Sequence, residues 1–225
     1  MWVQYSWQMA IIVFLFCTSV TQAAIINNGD FSDGFNGWVI DTDGFSGASS
    51  DFTITSDSKA RIEADYYEIS GDTFSSPLNT VFFGNSIYQN LDVTSLTTPL
   101  NLQFSYDFNG QDGNPISGDR FSVYFSDMFG NAFDETGSTG FIIDPTSFYG
   151  SGHVDLMLDP TLISDISGLS LTFLLEVGAD EFGFNNAFGS YVEMDNVTLT
   201  PVPIPATLWL FATALIALTT ISRKR

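Results

Sequence analysis

Between residues 25 and 200 the chain is a series of short β-rich runs, separated by clusters of Gly, Asn, Asp and Ser, and no long stretch has a helical period. In the run 100–108, every even position is apolar and every odd position is polar. Such alternation places the two kinds of side chain on opposite faces of a strand. The predicted strands cover residues 52–55, 59–64, 86–93, 100–108, 120–127, 152–158, 169–177 and 190–200.

Eight strands in a segment of this length predict an all-β fold, a two-sheet sandwich over residues 24–200. Most of the 22 Phe residues fall on the alternating faces and are expected to fill the core. The segment 108–119 reads as a long acidic loop between two strands. The Phe residues of 180–189 stand in a Gly/Asn-rich loop, where they would cap the sandwich or form a binding surface.

The formal net charge is −20, and all the Asp and Glu residues lie between Asp30 and Asp195. Only Lys59, Arg61 and Arg120 are basic in that region. Nucleic-acid affinity comes largely from cationic contacts with phosphates, so this composition argues against a nucleic-acid partner. An acidic surface suits a soluble exported protein and calcium.

The first 23 residues have the features of a signal peptide, with an apolar core from Met9 to Phe16. Thr21 and Ala23 occupy the −3 and −1 positions of a cleavage after Ala23. The segment before the core has no Lys or Arg, so an N-terminal anchor helix is the alternative. Because Cys17 is the only cysteine, the cleaved protein would hold no disulfide and no thiolate metal site.

The tail 201–225 combines prolines, an apolar run and a basic end. Residues 206–222 would form a helix of roughly 26 Å, barely enough to cross a bilayer. The basic end would stay in the cytoplasm by the positive-inside rule. The prolines would keep the preceding chain extended and open to a protease. A permanent C-terminal anchor is the alternative.

This tail resembles the PEP-CTERM sorting signal in its VPLPA-type variant, through Val202, Pro203, Ile204 and Pro205 and the basic end Arg223, Lys224 and Arg225. Ile204 departs from the residue more usual between the prolines. The resemblance implies an exosortase-type membrane protease as a partner. It also implies anchoring in the inner membrane by the tail, followed by transfer to the cell surface.

Two further stretches, "NNGDFSDGFNGW" (27–38) and "YVEMDNVTLT" (191–200), resemble the first and last strands of carbohydrate-binding-like jelly-roll domains, which are galactose-binding-like in fold. Many such domains hold a structural Ca²⁺ between their termini. The resemblance therefore implies a calcium site with Asp195 as the closing carboxylate and Asp30, or the Gly29 carbonyl, as the opening donor. Ser32 stands where the family often has Glu.

Signals for catalysis are absent from the sequence. His153 is the only histidine, and it lies in a strand-like run, so a surface or packing role is expected. There is no nucleophile elbow, Walker loop, dinucleotide fingerprint or HExxH motif. The chain is therefore predicted not to be an enzyme.

Two functions fit these observations. The first is an exported, non-catalytic surface or matrix protein associated with exopolysaccharide or with other surface proteins. The alternative is a lectin-like carbohydrate-binding module, calcium-dependent if the site forms, which would need exposed aromatic rings. Trp38 is the sole Trp outside the targeting segments and is expected to pack. The most platform-like residues are Tyr66 and Tyr67; further candidates are Tyr88, Tyr106, Tyr124, Tyr149 and Tyr191.

Overall fold

The computed structural model describes residues 25–41, 51–63, 83–109, 119–146, 149–177 and 190–202. Apart from the last two, these residues belong to one compact unit, Ala24–Thr200. The predicted signal peptide and the predicted sorting tail from Pro203 onward lie outside the described residues, as do the loop 180–189 and most of the loop 108–119. The described part of the chain includes no helix long and apolar enough to cross a membrane.

The described structure is nearly all β, as predicted, and its strands pair antiparallel wherever their register is defined. Within the described residues the only helix is the short α1 (Pro160–Ile163). The strands are β1 (Val39–Asp41), β2 (Phe52–Ile54), β3 (Ala60–Glu63), β4 (Phe83–Asn90), β5 (Leu100–Asn109), β6 (Arg120–Ser126), β7 (Ala132–Phe133), β8 (Ile143–Thr146), β9 (Gly150–Leu158), β10 (Ser170–Val177) and β11 (Tyr191–Pro201).

The strands form two sheets, which confirms the predicted two-sheet jelly-roll sandwich. Sheet A has the order β1-β4-β10-β6-β7, with β8 also paired to β6. Sheet B has the order β2-β3-β11-β5-β9. Apolar residues from both sheets form one buried cluster between them.

The core follows from the alternation seen in the sequence. On β5, Leu102, Phe104 and Phe108 are buried, while the intervening polar residues face outward. Phe104 of sheet B meets Phe173 of sheet A edge-on, with ring centroids 5.2 Å apart. This contact joins the two sheets with a favourable aromatic geometry. Most described Phe residues lie in this core, as predicted, and Phe129 is the clear exception at 79% exposed.

All eight predicted strands are present, and three short strands and α1 were not predicted. Strands β1 and β7 have only three and two residues. Strand β8 contains Pro145, which is tolerated because the strand pairs on one side only. Helix α1 begins where the Asp159 side chain accepts a hydrogen bond from the Thr161 N–H at 2.9 Å.

Residues 25–29, at the start of the described chain, lie against β11, and we call this contact the seam. Ile25 N–H donates to the Leu199 carbonyl at 2.9 Å, and Val197 N–H donates to the Gly29 carbonyl at 2.8 Å. A methyl group on Gly29 would collide with the Val197 carbonyl, so only glycine permits this approach. The stretches 27–38 and 191–200, which resemble parts of carbohydrate-binding-like domains, are therefore in contact through this seam.

Trp38 packs in the core, as predicted, and is 7% exposed. Its ring lies 5.2 Å from Phe31 and 6.0 Å from Phe173, centroid to centroid. Its indole N–H donates to the Asn28 carbonyl at 3.0 Å, so its one polar atom is satisfied. Trp38 is therefore not a surface platform for a ligand.

Candidate functional site

The outer face of sheet A carries an open cleft of about 370 Å³. Its lining comes from β1, β4, β10 and β6 and from two turns beside them. On β10 and β6 the inward residues Phe173 and Phe125 are large and apolar, whereas the lining residues Ser126, Ser170 and Thr172 are small and polar. Small side chains on central strands with larger ones beside them leave a depression in the surface of the sheet. We call this depression the sheet A cleft.

Two tyrosines stand on either side of one threonine in the sheet A cleft. Thr172 on β10 is the register partner of Tyr88 on β4 and also of Tyr124 on β6. All three residues line the cleft. Neighbouring strands lie about 4.8 Å apart, so the backbones of the two tyrosines are separated by about 10 Å. The row therefore has an aromatic side chain at each end and a short one in the middle.

Tyr124 is held in place by its surroundings. Its ring meets Phe141 edge-on, with centroids 5.5 Å apart and an interplanar angle of 88°. Burial, with a smaller effect from the negative charge of Glu176, raises the pKa of Tyr124. The phenol therefore remains neutral at physiological pH and can donate a hydrogen bond.

Hydroxyl groups form part of the floor of the sheet A cleft. Ser126 Oγ lies 2.7 Å from Ser170 Oγ and 2.8 Å from Thr172 Oγ1. Ser86 and Asn90 of β4 add further neutral polar groups to the lining. Ser126, Ser170 and Thr172 are buried and bond to one another, so they offer a ligand only the hydrogen-bonding capacity that these bonds leave over.

A tight turn forms one end of the sheet A cleft. Asp127 Oδ1 accepts hydrogen bonds from Phe129 N–H at 2.8 Å and from Asn131 N–H at 2.9 Å. The Asn131 side chain donates to Asp127 Oδ2 at 2.9 Å, and these bonds to the charged form lower the pKa of Asp127. Met128 N–H donates to the Ser167 carbonyl at 2.9 Å, which ties the turn to the loop before β10.

The structure separates the tyrosines that the sequence left as candidates. Tyr88 and Tyr124 line the sheet A cleft. Three others make intramolecular packing contacts: Tyr106 with Phe104 and Phe121, Tyr149 with Phe108, and Tyr191 beneath the Arg61 guanidinium at 3.6 Å. Tyr66 and Tyr67, the preferred pair, lie outside the described residues and stay a prediction.

The predicted calcium ligands are engaged in local turns. Asp30 Oδ1 accepts from Ser32 N–H and Oγ at 3.3 and 3.0 Å. Asp195 accepts from Asn196 N–H at 2.6 Å and from its side-chain amide at 2.9 Å. Among the described residues, no three His, Cys, Asp or Glu side chains group as a metal site would require. An ion here would need additional donors such as backbone carbonyls. Calcium at Asp30 and Asp195 stays a prediction.

His153 is exposed on β9, which agrees with the expected surface role. Its Nδ1 lies 3.4 Å from Ser105 Oγ, on the register-paired position of β5. This pair lies on the outer face of sheet B, away from the sheet A cleft.

No family model and no curated protein matches the sequence. Among solved structures, the chain is similar to the carbohydrate-binding module TmCBM61 in complex with β-1,4-galactotriose, at 12% identity and a TM-score of 0.43, over 80% of this chain and 100% of that one. It is also similar to the mannan-recognising module TmCBM27, at 14% identity and a TM-score of 0.40, over 81% of this chain and 98% of that one.

A third similar structure is the enzymatically active domain of tailspike protein 4 from bacteriophage CBA120. The identity is 10% and the TM-score 0.43, over 80% of this chain and 21% of that chain. Similar structures thus include binding modules and an enzyme domain. At such identities and TM-scores these likenesses assign no function, and the evidence for one comes from the sheet A cleft itself.

Proposed function

We propose that this chain is a non-catalytic carbohydrate-binding protein and that the sheet A cleft holds a segment of a polysaccharide. The observation that supports this most strongly is the row formed by Tyr88, Thr172 and Tyr124. It presents two aromatic residues on one open face, with room between them. This favours the lectin-like reading over a surface protein that binds no sugar.

The chemistry of the cleft suits a sugar. A pyranose ring has an apolar face that packs against an aromatic ring, and its rim carries hydroxyl groups. Tyr88 and Tyr124 offer the apolar contacts. Ser86 and Asn90 offer polar groups, and the buried hydroxyls of Ser126, Ser170 and Thr172 add what their mutual hydrogen bonds leave over. Because the cleft opens to solvent on the outer face of the sheet, a segment of a polysaccharide can enter it from that side.

A polysaccharide-binding role is consistent with a protein of the cell surface. We propose that the chain is exported, anchored in the inner membrane by its tail, and transferred to the surface by an exosortase-type protease that reads Val202–Pro205 and the basic end. Its partner there would be exopolysaccharide. The support for this step is the order of parts in the tail.

Binding of the full-length chain to immobilised polysaccharides tests the binding function, with the protein in a detergent that has no sugar headgroup. We expect the double variant Y88A/Y124A to lose binding by at least about tenfold, since each stacking contact contributes on the order of 1 kcal/mol. The double variant Y66A/Y67A is the matched comparison. If Y66A/Y67A loses binding while Y88A/Y124A keeps it, the site has been assigned to the wrong tyrosines.

Intact mass of the protein isolated from the cell surface tests the sorting step. We expect a species that ends before the basic residues Arg223–Arg225. A surface species that retains Arg225 would contradict processing of the tail.

A further inference from the structure

The described residues that line the sheet A cleft include acidic side chains and no basic one. Within the described residues, the charged groups that line it are Asp41 on β1 and Asp127 in the turn after β6. Glu176, on the same face of β10 as Thr172, lies close enough to affect Tyr124. A ligand in the cleft therefore lies in a negative local field.

The basic side chains of the described structure lie elsewhere or face an acid. Lys59 and Arg61 belong to sheet B, where Lys59 pairs with Asp57 at 3.0 Å and Arg61 with Glu63 at 2.9 Å. Arg120 is in sheet A, but its register partner is Glu176. Among the described residues, Arg120 faces Glu176, and the lining of the cleft has no basic side chain beside Asp41 and Asp127.

Recognition of carboxylate or sulfate groups on a glycan normally uses Arg, Lys or clustered backbone N–H groups. The polar groups of the sheet A cleft are instead serine, threonine, tyrosine and asparagine side chains, which are neutral. They can pair with sugar hydroxyls, whereas Asp41 and Asp127 would repel an anionic substituent.

We infer that the sheet A cleft binds neutral polysaccharides and excludes polyanionic ones, and that Asp41 contributes to this exclusion. The inference rests on the proposed carbohydrate-binding function and specifies its substrate class. Uronic-acid-rich and sulfated polymers are excluded partners, and uncharged hexose polymers are the fitting ones.

Pairs of polymers with one backbone and different charge provide the test. Hydroxyethyl cellulose is compared with carboxymethyl cellulose, and fully methyl-esterified polygalacturonan with its de-esterified form, by affinity electrophoresis of the full-length chain at low and high salt. We expect at least one neutral polymer to bind, and its anionic counterpart to bind at least about tenfold more weakly at low ionic strength. The difference should shrink as salt screens the repulsion.

The variant D41N removes one cleft charge, and D155N is the matched control because Asp155 is exposed on β9 of sheet B. We expect D41N to reduce the ratio of the affinities for neutral and anionic polymers by about two- to fivefold, and D155N to leave that ratio unchanged. Equal or tighter binding of the anionic polymers by the wild-type chain overturns the inference but leaves the proposed function standing. Failure of every polymer to bind overturns the proposed function as well.

Discussion

Tyr88 and Tyr124 share one register partner, Thr172, which lies between them on β10. Two aromatic residues in one cross-strand row define the width of the sheet A cleft, and the short side chain between them defines its depth. The size of residue 172 should therefore control access to both rings.

Enlarging residue 172 should block binding without removing either ring. We expect T172L to weaken polysaccharide binding by at least about tenfold, because the larger side chain occupies the space between the tyrosines. The control is T53L, the same change at an exposed position of β2 in sheet B. Both variants are compared with wild type by affinity electrophoresis and thermal melting. Unaltered binding by folded T172L would place the ligand elsewhere.

The seam between the start of the domain and β11 should depend on Gly29. We expect G29A to lower the free energy of unfolding by about 2–4 kcal/mol, because its methyl group collides with the Val197 carbonyl. The comparison is G34A, where φ is +62° and nothing lies within 4 Å of the added atom. The free energy of unfolding of G34A should fall by only about 1 kcal/mol, which is the cost of the left-handed conformation. Urea unfolding of both variants provides the measurement, and equal losses would contradict a steric seam.

Acid should destabilise the fold through aspartates that hold turns. Hydrogen bonds from neighbouring hydroxyl, amide or amine groups lower the pKa of five carboxyls: Asp57, Asp92, Asp127, Asp134 and Asp159. A lowered folded-state pKa stabilises the fold above the ordinary aspartate value near 3.9, and this stability is lost as the pH falls through the folded-state pKa. Burial raises the pKa of Glu176, which acts in the opposite direction.

We therefore expect the Tm to fall between pH 5 and pH 2.5. The variant D134N removes the Asp134 carboxylate, which accepts a hydrogen bond from Thr136 Oγ1 at 2.7 Å. Its Tm should therefore fall less over this pH range than that of the wild-type chain. D155N, on the exposed face of β9, is the matched control. Scanning calorimetry across this range is the measurement, and a Tm that is flat or rises would contradict the prediction.

Calcium bound at Asp30 and Asp195 would stabilise the folded state by mass action. We expect the Tm of the full-length chain to rise with millimolar calcium and to fall with chelator, and D195N to abolish the difference. Magnesium at the same concentration is the control, since it takes an all-protein oxygen site reluctantly. If the Tm is the same with calcium and with chelator, Asp30 and Asp195 do not form a calcium site.

The longest strands could be predicted because burial imposes a period of two on the sequence, as at 100–108. The sheet A cleft could not be predicted from the sequence. Ser86, Tyr124 and Thr172 occupy outward positions that look like any polar strand face, and only the pairing of β10 with both β4 and β6 brings them together. The sequence ranked Tyr66 and Tyr67 first because they are adjacent in the chain. Strand register, which a single sequence does not reveal, places Tyr88 and Tyr124 in one row on either side of Thr172.

Strand β11 lies between β3 and β5 in sheet B, although it is the last strand to be synthesised. Until it emerges from the ribosome, β3 and β5 have no partner on their facing edges, and the segment around Gly29 has no Val197 to join. The nascent chain therefore carries open strand edges until β11 has been made, a state prone to pairing with other chains. Sheet B cannot close before that point in the chain is available.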